Sequence, residues 1–141
     1  EELNLAADKA LGHYTHEKSP VACAAALATL EVIREENLLE NAERVGQFAL
    51  EKLRDLQRRH SLVGDVRGLG LLLGVELVRD RKSLERATEE AEEVMYQALA
   101  RGLSFKLTMG NIITLTPALT VTEEEVTEAV GILDECLELV G

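Results

Sequence analysis

Four stretches of the chain carry apolar side chains at the three-to-four-residue spacing of helices. The predicted helices cover Pro20 to about Glu36, about Leu38 to Arg59, about Ala87 to Arg101, and a final segment that follows Thr122. Ser19 is predicted to cap the first helix, with Pro20 at the first helical position. Thr122 and Glu125 have the spacing of a capping box, which predicts where the last helix begins.

Shorter apolar runs between the second and the last helix predict strands. They cover Leu62 to Val66, Leu71 to Val78, Leu103 to Thr108 and Asn111 to Thr116. The glycines of Arg67–Gly70 predict a bend or bulge after the first run, Arg79–Glu85 predicts a charged loop, and Met109–Gly110 predicts a hairpin turn. The resulting order predicts an α+β fold, a small and mostly antiparallel sheet with helices packed on one face.

The first helix is rich in alanine and apolar nearly all round as far as Glu31. Such a helix is predicted to be buried on several sides, which in 141 residues indicates contact with another domain or subunit. We therefore divide the chain into 1–18, the end of a connecting segment with a polar loop, and 19–141, a C-terminal domain that includes the interdomain helix. The Glu1–Glu2 start without Met favours a segment of a longer protein.

Composition narrows the possible functions. Hydrophobic residues make up 46% and aromatic residues only 3%, so the core is predicted to consist of Leu, Val, Ile and Ala. A formal net charge of -11 argues against a general nucleic-acid binder. The apolar run from Val21 to Leu30 is too short to span a bilayer, and no signal-peptide pattern is present. A cytoplasmic protein without a membrane partner is therefore expected.

The cysteines and histidines form no recognisable reactive set. Cys23 and Cys136 fall inside apolar helical patterns and are predicted to be small buried side chains in a reducing compartment. The chain has three histidines, His13, His16 and His60, and their spacing matches neither a zinc site nor a catalytic triad. No metal site is predicted.

Two further features concern phosphate. Gly68-Leu69-Gly70 lacks the lysine and hydroxyl of a phosphate-binding loop and precedes a strand, so a tight bend is the better interpretation. Thr15 lies in a polar loop just before a helix start, where its hydroxyl and nearby amides suit an anion such as phosphate. A simple turn residue is the commoner role for such a threonine.

Four segments resemble those of one enzyme family, in the same order and spacing. Thr15–Ala28 is similar to "TFxGNPxACAAALA", and Asn37–Gly46 to the helix that follows it. Gly64–Leu77 resembles "DVRGxGLxxGxEL", and Ile112–Thr120 resembles "xIRLxPPLxx". This pattern is that of the C-terminal part of class III, fold-type I pyridoxal-phosphate (PLP) aminotransferases. The resemblance covers nearly the whole chain.

The resemblance implies a C-terminal small domain that packs on an upstream large PLP domain within a homodimer. Thr15 would contact the phosphate of the partner subunit's PLP, and the alanine-rich helix would lie against the cofactor domain. The Schiff-base lysine and the aspartate that pairs with the pyridine nitrogen lie upstream in this family. The lysines of this chain do not match that position; they are Lys9, Lys18, Lys52, Lys82 and Lys106. The chain alone therefore contributes no catalytic residue and is expected to be inactive.

Two departures from the family pattern bear on the substrate. His16-Glu17-Lys18-Ser19 replaces "FxGN", which changes the surroundings of Thr15. Thr114 stands at the substrate-binding position where many members carry an arginine for the α-carboxylate, and Ala118 replaces the second proline. A neutral hydroxyl cannot replace a bidentate guanidinium. Either the substrate lacks an α-carboxylate, or an arginine elsewhere in the protein binds it.

Three functions follow as expectations. The first is amino transfer from a primary amine or amino acid to a 2-oxo acid, with this chain as one domain of the enzyme. The second is a PLP-dependent ammonia- or phospho-lyase on the same scaffold, which Thr114 favours. The third, from another class, is a non-catalytic oligomerisation module.

Overall fold

A computed structural model describes residues 19–141 of the chain. The chain divides into two units, Glu1–Asn37 and Leu38–Gly141. The predicted connecting segment 1–18, with His13, Thr15 and His16, lies outside the described residues.

The elements follow the predicted order with one addition. The helices are α1 (Pro20–Glu35), α2 (Leu38–Arg59), α3 (Thr88–Ala100) and α4 (Glu123–Val140). The strands are β1 (Val63–Leu69), β2 (Leu72–Asp80), β3 (Glu85–Arg86), β4 (Lys106–Thr108) and β5 (Ile112–Leu115). The first three helices match their predicted bounds to within one residue, and both bonds of the Thr122–Glu125 capping box form at α4.

Helix α1 begins at Pro20 after an extended Ser19, whose side chain makes no capping hydrogen bond. No residue of α1 is buried, and Val21, Leu27 and Leu30 are 79%, 61% and 58% exposed. Cys23 is exposed as well, contrary to the prediction for this side chain. Burial of α1 by another domain or subunit stays a prediction.

The sheet of the second unit has the strand order β1-β2-β5-β4, with β3 paired to the far end of β2. Every strand pair within residues 19–141 is antiparallel. Leu73, Val75 and Leu77 of β2 point into a core that α2, α3 and α4 cover from the same side. The predicted fold, a small antiparallel sheet with helices on one face, is confirmed.

The loop and strand boundaries differ from the prediction for physical reasons. The predicted bend at Arg67–Gly70 is mostly strand, because β1 continues to Leu69 and only Gly70 adopts a left-handed φ of 52°. Strand β3 was missed, since two residues cannot display a periodicity. Strand β4 starts later than predicted because the Leu103 amide bonds the carbonyl of Ala98, which ties that segment to the end of α3.

No helix within residues 19–141 is both long and apolar enough to cross a membrane. The same range contains no group of three or more histidine, cysteine, aspartate or glutamate side chains that could hold a metal ion.

Helix α2 packs directly on the β1–β2 turn through Gly46. A Cβ added to Gly46 would overlap the carbonyl oxygen of Gly70 and lie 2.8 Å from its Cα. Because both partners are backbone, a side chain at this position requires the helix and the turn to separate. This contact fixes the distance between α2 and the sheet.

We expect Gly46→Ala to lower the free energy of unfolding by about 2–4 kcal/mol, because the added methyl group meets backbone atoms. Gly131→Ala is the matched control, since a Cβ there meets nothing within 4 Å in the middle of α4. That change should raise stability by about 0.5–1 kcal/mol through helix propensity. Urea unfolding measures the change in unfolding free energy for both variants. Equal changes for Gly46→Ala and Gly131→Ala would contradict the proposed contact.

An ion cluster joins the end of α2 to α4. Arg59 Nη1 lies 2.6 Å from both carboxylate oxygens of Asp134, and His60 Nε2 lies 2.6 Å from Oδ1. Burial of Asp134 raises its pKa, but the hydrogen bonds from Arg59 and His60 outweigh that effect and hold the pKa below the ordinary value of 3.8. A carboxyl with a lowered folded-state pKa stabilises the fold above its unfolded pKa.

We expect Asp134→Asn to cost about 1–2 kcal/mol of unfolding free energy at neutral pH, because a charge-assisted bond is lost. The difference from the parent protein should shrink as the pH falls below 3.8, where the parent carboxylate also becomes protonated. Asp55→Asn, in an exposed pair with Arg58, should change stability by less than about 0.5 kcal/mol. A pH-independent cost of Asp134→Asn would contradict this account.

Candidate functional site

The face of the sheet opposite the helices carries a continuous row of four residues. Arg67 pairs with Gly74, Gly74 with Thr114, and Thr114 with Lys106. Residues directly opposed across antiparallel strands lie on the same face of a sheet. Thr114, the predicted substrate position, therefore lies in mid-sheet with Lys106 beside it on the neighbouring strand. We call the side that carries this row the open face.

The next row on the open face is acidic at the β1 side. Asp65 pairs with Glu76, and Arg67 Nη1 donates to both carboxylates at 2.6 and 2.8 Å. The hydrogen bonds with Asp65 and then Glu76 raise the pKa of Arg67 above its ordinary value. Two carboxylates thus surround one guanidinium, so the β1 side of the face offers no uncompensated positive charge.

The other side of the open face carries hydroxyls and an amine. Thr114 Oγ1 lies 2.8 Å from Thr108 Oγ1, a hydrogen bond in which either oxygen can donate. Thr114 is half-buried, whereas Thr108 and Lys106 are exposed. Within residues 19–141, Lys106 forms no salt bridge with a carboxylate. This end of the face can donate hydrogen bonds to an anion.

Gly74 leaves a gap between the two ends. The atoms nearest to a Cβ at this position would be Ile112 Cγ2 at 3.6 Å and atoms of Arg67 at 3.9 Å, which are ordinary contacts. By contrast, a Cβ at Gly64 would come within 2.6 Å of Val78, and one at Gly68 within 2.7 Å of the Leu72 carbonyl oxygen. The packing of residues 19–141 therefore explains why Gly64 and Gly68 carry no side chain. It does not explain why residue 74 is a glycine.

A small cavity of about 170 Å³ lies beneath this end of the sheet. Its walls are mainly the apolar side chains of Leu53, Leu73, Leu103, Phe105, Val126 and Val130. Lys106 and Glu125 are the charged residues at its border, and no group of several cationic or amide donors converges there. The cavity does not fit a cofactor phosphate, although the open-face residues Lys106 and Thr114 also contribute to its lining.

The other residues singled out in the sequence have local roles. His60 belongs to the Asp134 cluster, and Gly70 turns the β1–β2 hairpin. Lys52 stacks 4.9 Å from the centre of the Phe48 ring, and Lys82 is exposed in the turn after β2. No lysine within residues 19–141 is buried.

Sequence reasoning missed Lys106 and Thr108 as neighbours of Thr114. The predicted two-residue turn at Met109–Gly110 would pair residue 106 with residue 113. The observed loop has three residues, Met109–Asn111, and it pairs Lys106 with Thr114 instead. Lys106 is one of the lysines that do not match the position of the imine-forming lysine. Thr15 lies outside the described residues, so its phosphate contact stays a prediction.

Comparison with known proteins places the chain in a family. The family model described as aminotransferase class-III matches residues 6–137. An (R)-1-hydroxy-2-aminoethylphosphonate ammonia-lyase from Vibrio splendidus is 48% identical over 97% of the chain, which covers 29% of that protein. A leucine/methionine racemase from Thermococcus litoralis is 41% identical over 90% of the chain, again 29% of the relative.

Solved structures agree with the sequence relatives. An amine transaminase from an uncultivated Pseudomonas species, solved with PLP bound, superposes with a TM-score of 0.88 at 34% identity. The match covers 95% of this chain and 31% of that structure. The chain therefore spans about a third of the length of its relatives. Its sequence over residues 6–137 and its fold both show that it belongs to the class-III aminotransferase family.

Proposed function

We propose that the chain is the C-terminal small domain of a PLP-dependent lyase that releases ammonia from a small amine lacking an α-carboxylate. Thr114 is the observation that carries the proposal. It occupies the strand position at which many members of the family carry an arginine, and its hydroxyl is engaged with Thr108. A neutral hydroxyl pair does not provide the bidentate charge that an α-carboxylate requires.

The rest of the open face supports the same conclusion. Arg67 is two strands away from Thr114 and is held by Asp65 and Glu76. Releasing it toward a carboxylate would leave two neighbouring carboxylates without their partner, which costs free energy. The relative that is 48% identical is itself named as an ammonia-lyase of an aminophosphonate, a substrate without an α-carboxylate.

The complete enzyme is proposed to be a cytoplasmic homodimer in which an upstream large domain holds PLP and the Schiff-base lysine. The exposed apolar residues of α1, including Val21, Leu27 and Leu30, are suited to pack against that domain. When bound, PLP supplies the electron-withdrawing group that labilises bonds next to the substrate amine. Thr114 and its neighbours on the open face bind and orient the part of the substrate remote from the amine. Thr15 is proposed to contact the PLP phosphate of the partner subunit.

Amino transfer is the second candidate. The amine transaminase that superposes on this chain is the finding that favours it, because an amine without a carboxylate also suits Thr114. Amino transfer requires a 2-oxo acid as the second substrate, whereas elimination does not. A purely oligomerising module is the weakest candidate, since an enzyme-family match extends over residues 6–137.

The reaction is tested with the full-length, PLP-loaded protein and (R)-1-hydroxy-2-aminoethylphosphonate as substrate. We expect ammonia to be released without any added 2-oxo acid, because elimination returns the cofactor to its starting form. The ammonia is measured with glutamate dehydrogenase only after the protein has been removed from the reaction, because that assay itself requires 2-oxoglutarate. Amino transfer to 2-oxoglutarate, with no ammonia released in its absence, would contradict the lyase and favour the transaminase.

Thr15 is tested by substitution in the same protein. Thr15→Ala should weaken PLP retention by about 10-fold, the size expected for one lost hydrogen bond to a charged group. Thr15→Ser keeps the hydroxyl and should retain most of the affinity. Dialysis followed by measurement of the visible cofactor absorbance gives both values. Equal retention by the parent protein and Thr15→Ala would remove Thr15 from the phosphate site.

A further inference from the structure

We propose that Lys106, together with Thr114 and Thr108, binds the tetrahedral phosphorus oxyanion of the substrate, a phosphonate or phosphate group. The inference rests on the proposed function in one respect, namely that the open face is the side that meets the substrate. Lys106 supplies the positive charge of this site, and the substrate class is an amine that carries a phosphorus oxyanion.

Strand register brings the three donors together. Lys106 is directly opposed to Thr114 across the β4–β5 pair, and Thr108 is the diagonal neighbour that bonds Thr114. Opposed residues on one face of an antiparallel pair have Cβ atoms about 5 Å apart. In the Thr108–Thr114 pair one hydroxyl donates to the other, so one hydroxyl proton remains to donate outward. The lysine ammonium adds three N–H donors at the same edge.

Charge decides which end of the face receives the anion. At the β1 end, Asp65 and Glu76 surround Arg67, so that cluster carries two negative charges for one positive charge. At the β4 end, Lys106 has no salt-bridge partner within residues 19–141. An anion is therefore attracted to Lys106 and repelled by the acidic pair. The two ends act together to orient a substrate along the row.

The donor types favour a tetrahedral oxyanion over a carboxylate. A lysine ammonium is a compact point charge, and a hydroxyl makes a single directed bond, so neither imposes the planar fork that arginine gives to a carboxylate. Three oxygens of a phosphonate can each meet a separate donor, from Lys106 and from the threonine hydroxyls. A carboxylate has only two oxygens and leaves part of this donor set unused.

Gly74 supports a ligand over the centre of the row. Glycine weakens a strand, and in strand interiors it marks places where a ligand or another backbone comes close. The neighbours of Gly74 within residues 19–141 leave room for a Cβ, at 3.6 Å or more, so they do not require the glycine. A substrate that extends from Lys106 across Thr114 would pass over this gap.

The test uses methylphosphonate, a probe that carries the oxyanion but has no amine. Isothermal titration of the full-length, PLP-loaded protein gives its dissociation constant. Lys106→Gln should weaken binding by about 10-fold or more, the loss expected for one charge-assisted contact. Lys106→Arg keeps the positive charge and should therefore retain part of the affinity for methylphosphonate. Lys82→Gln, at another exposed lysine, should leave binding unchanged, and its melting temperature and that of Lys106→Gln should match the parent.

Two further measurements identify the anion. PLP retention should be the same in the parent and Lys106→Gln, because the site serves the substrate and not the cofactor phosphate. Acetate should bind the parent protein more weakly than methylphosphonate does. The substitution Lys106→Gln should also reduce the affinity for acetate by a smaller factor. Loss of PLP with unchanged methylphosphonate affinity would overturn the proposal. So would equal methylphosphonate affinity in both proteins, or no binding by the parent at millimolar concentration.

These outcomes are separable from those of the proposed reaction. If ammonia is released but methylphosphonate binding does not depend on Lys106, the lyase reaction is supported and the proposed oxyanion site is wrong. If methylphosphonate binding depends on Lys106 but no ammonia is released, the oxyanion site is supported and the lyase reaction is wrong.

Discussion

The register of β2 between β1 and β5 is the constraint on which the rest of this unit depends. Leu73, Val75 and Leu77 alternate with Leu72, Gly74 and Glu76, so one set enters the core and the other lies on the open face. A shift of one residue would exchange the two sets and expose the core. The same register that buries the leucines and valine therefore aligns Gly74 with Thr114 and Arg67.

The helices reinforce this register from one side only. Gly46 brings α2 against the turn between β1 and β2, and the Asp134 cluster ties the end of α2 to α4. Neither contact involves the open face, so residues on that face are free to vary with the substrate without disturbing the packing. This separation explains how one scaffold occurs in proteins named as lyases, racemases and transaminases.

Local signals in the sequence predicted the helices well, because caps and periodicity act within a few residues. Pro20 and the Thr122–Glu125 box fixed two helix starts to the residue. The sequence pattern alone does not decide whether α1 and Cys23 are covered, because that depends on surfaces outside residues 19–141. Thr114 was found through the family resemblance. The role of Lys106 beside Thr114 could not be predicted, because strand pairing and not adjacency along the chain makes them neighbours.

The most direct test of the account is a crystal structure of the full-length, PLP-loaded protein soaked with methylphosphonate. The account predicts that the open face turns toward the cofactor, with a phosphonate oxygen within hydrogen-bond distance of Lys106 Nζ and of a hydroxyl of the Thr108–Thr114 pair. A phosphonate bound to other residues, or an open face turned away from the cofactor, would contradict it.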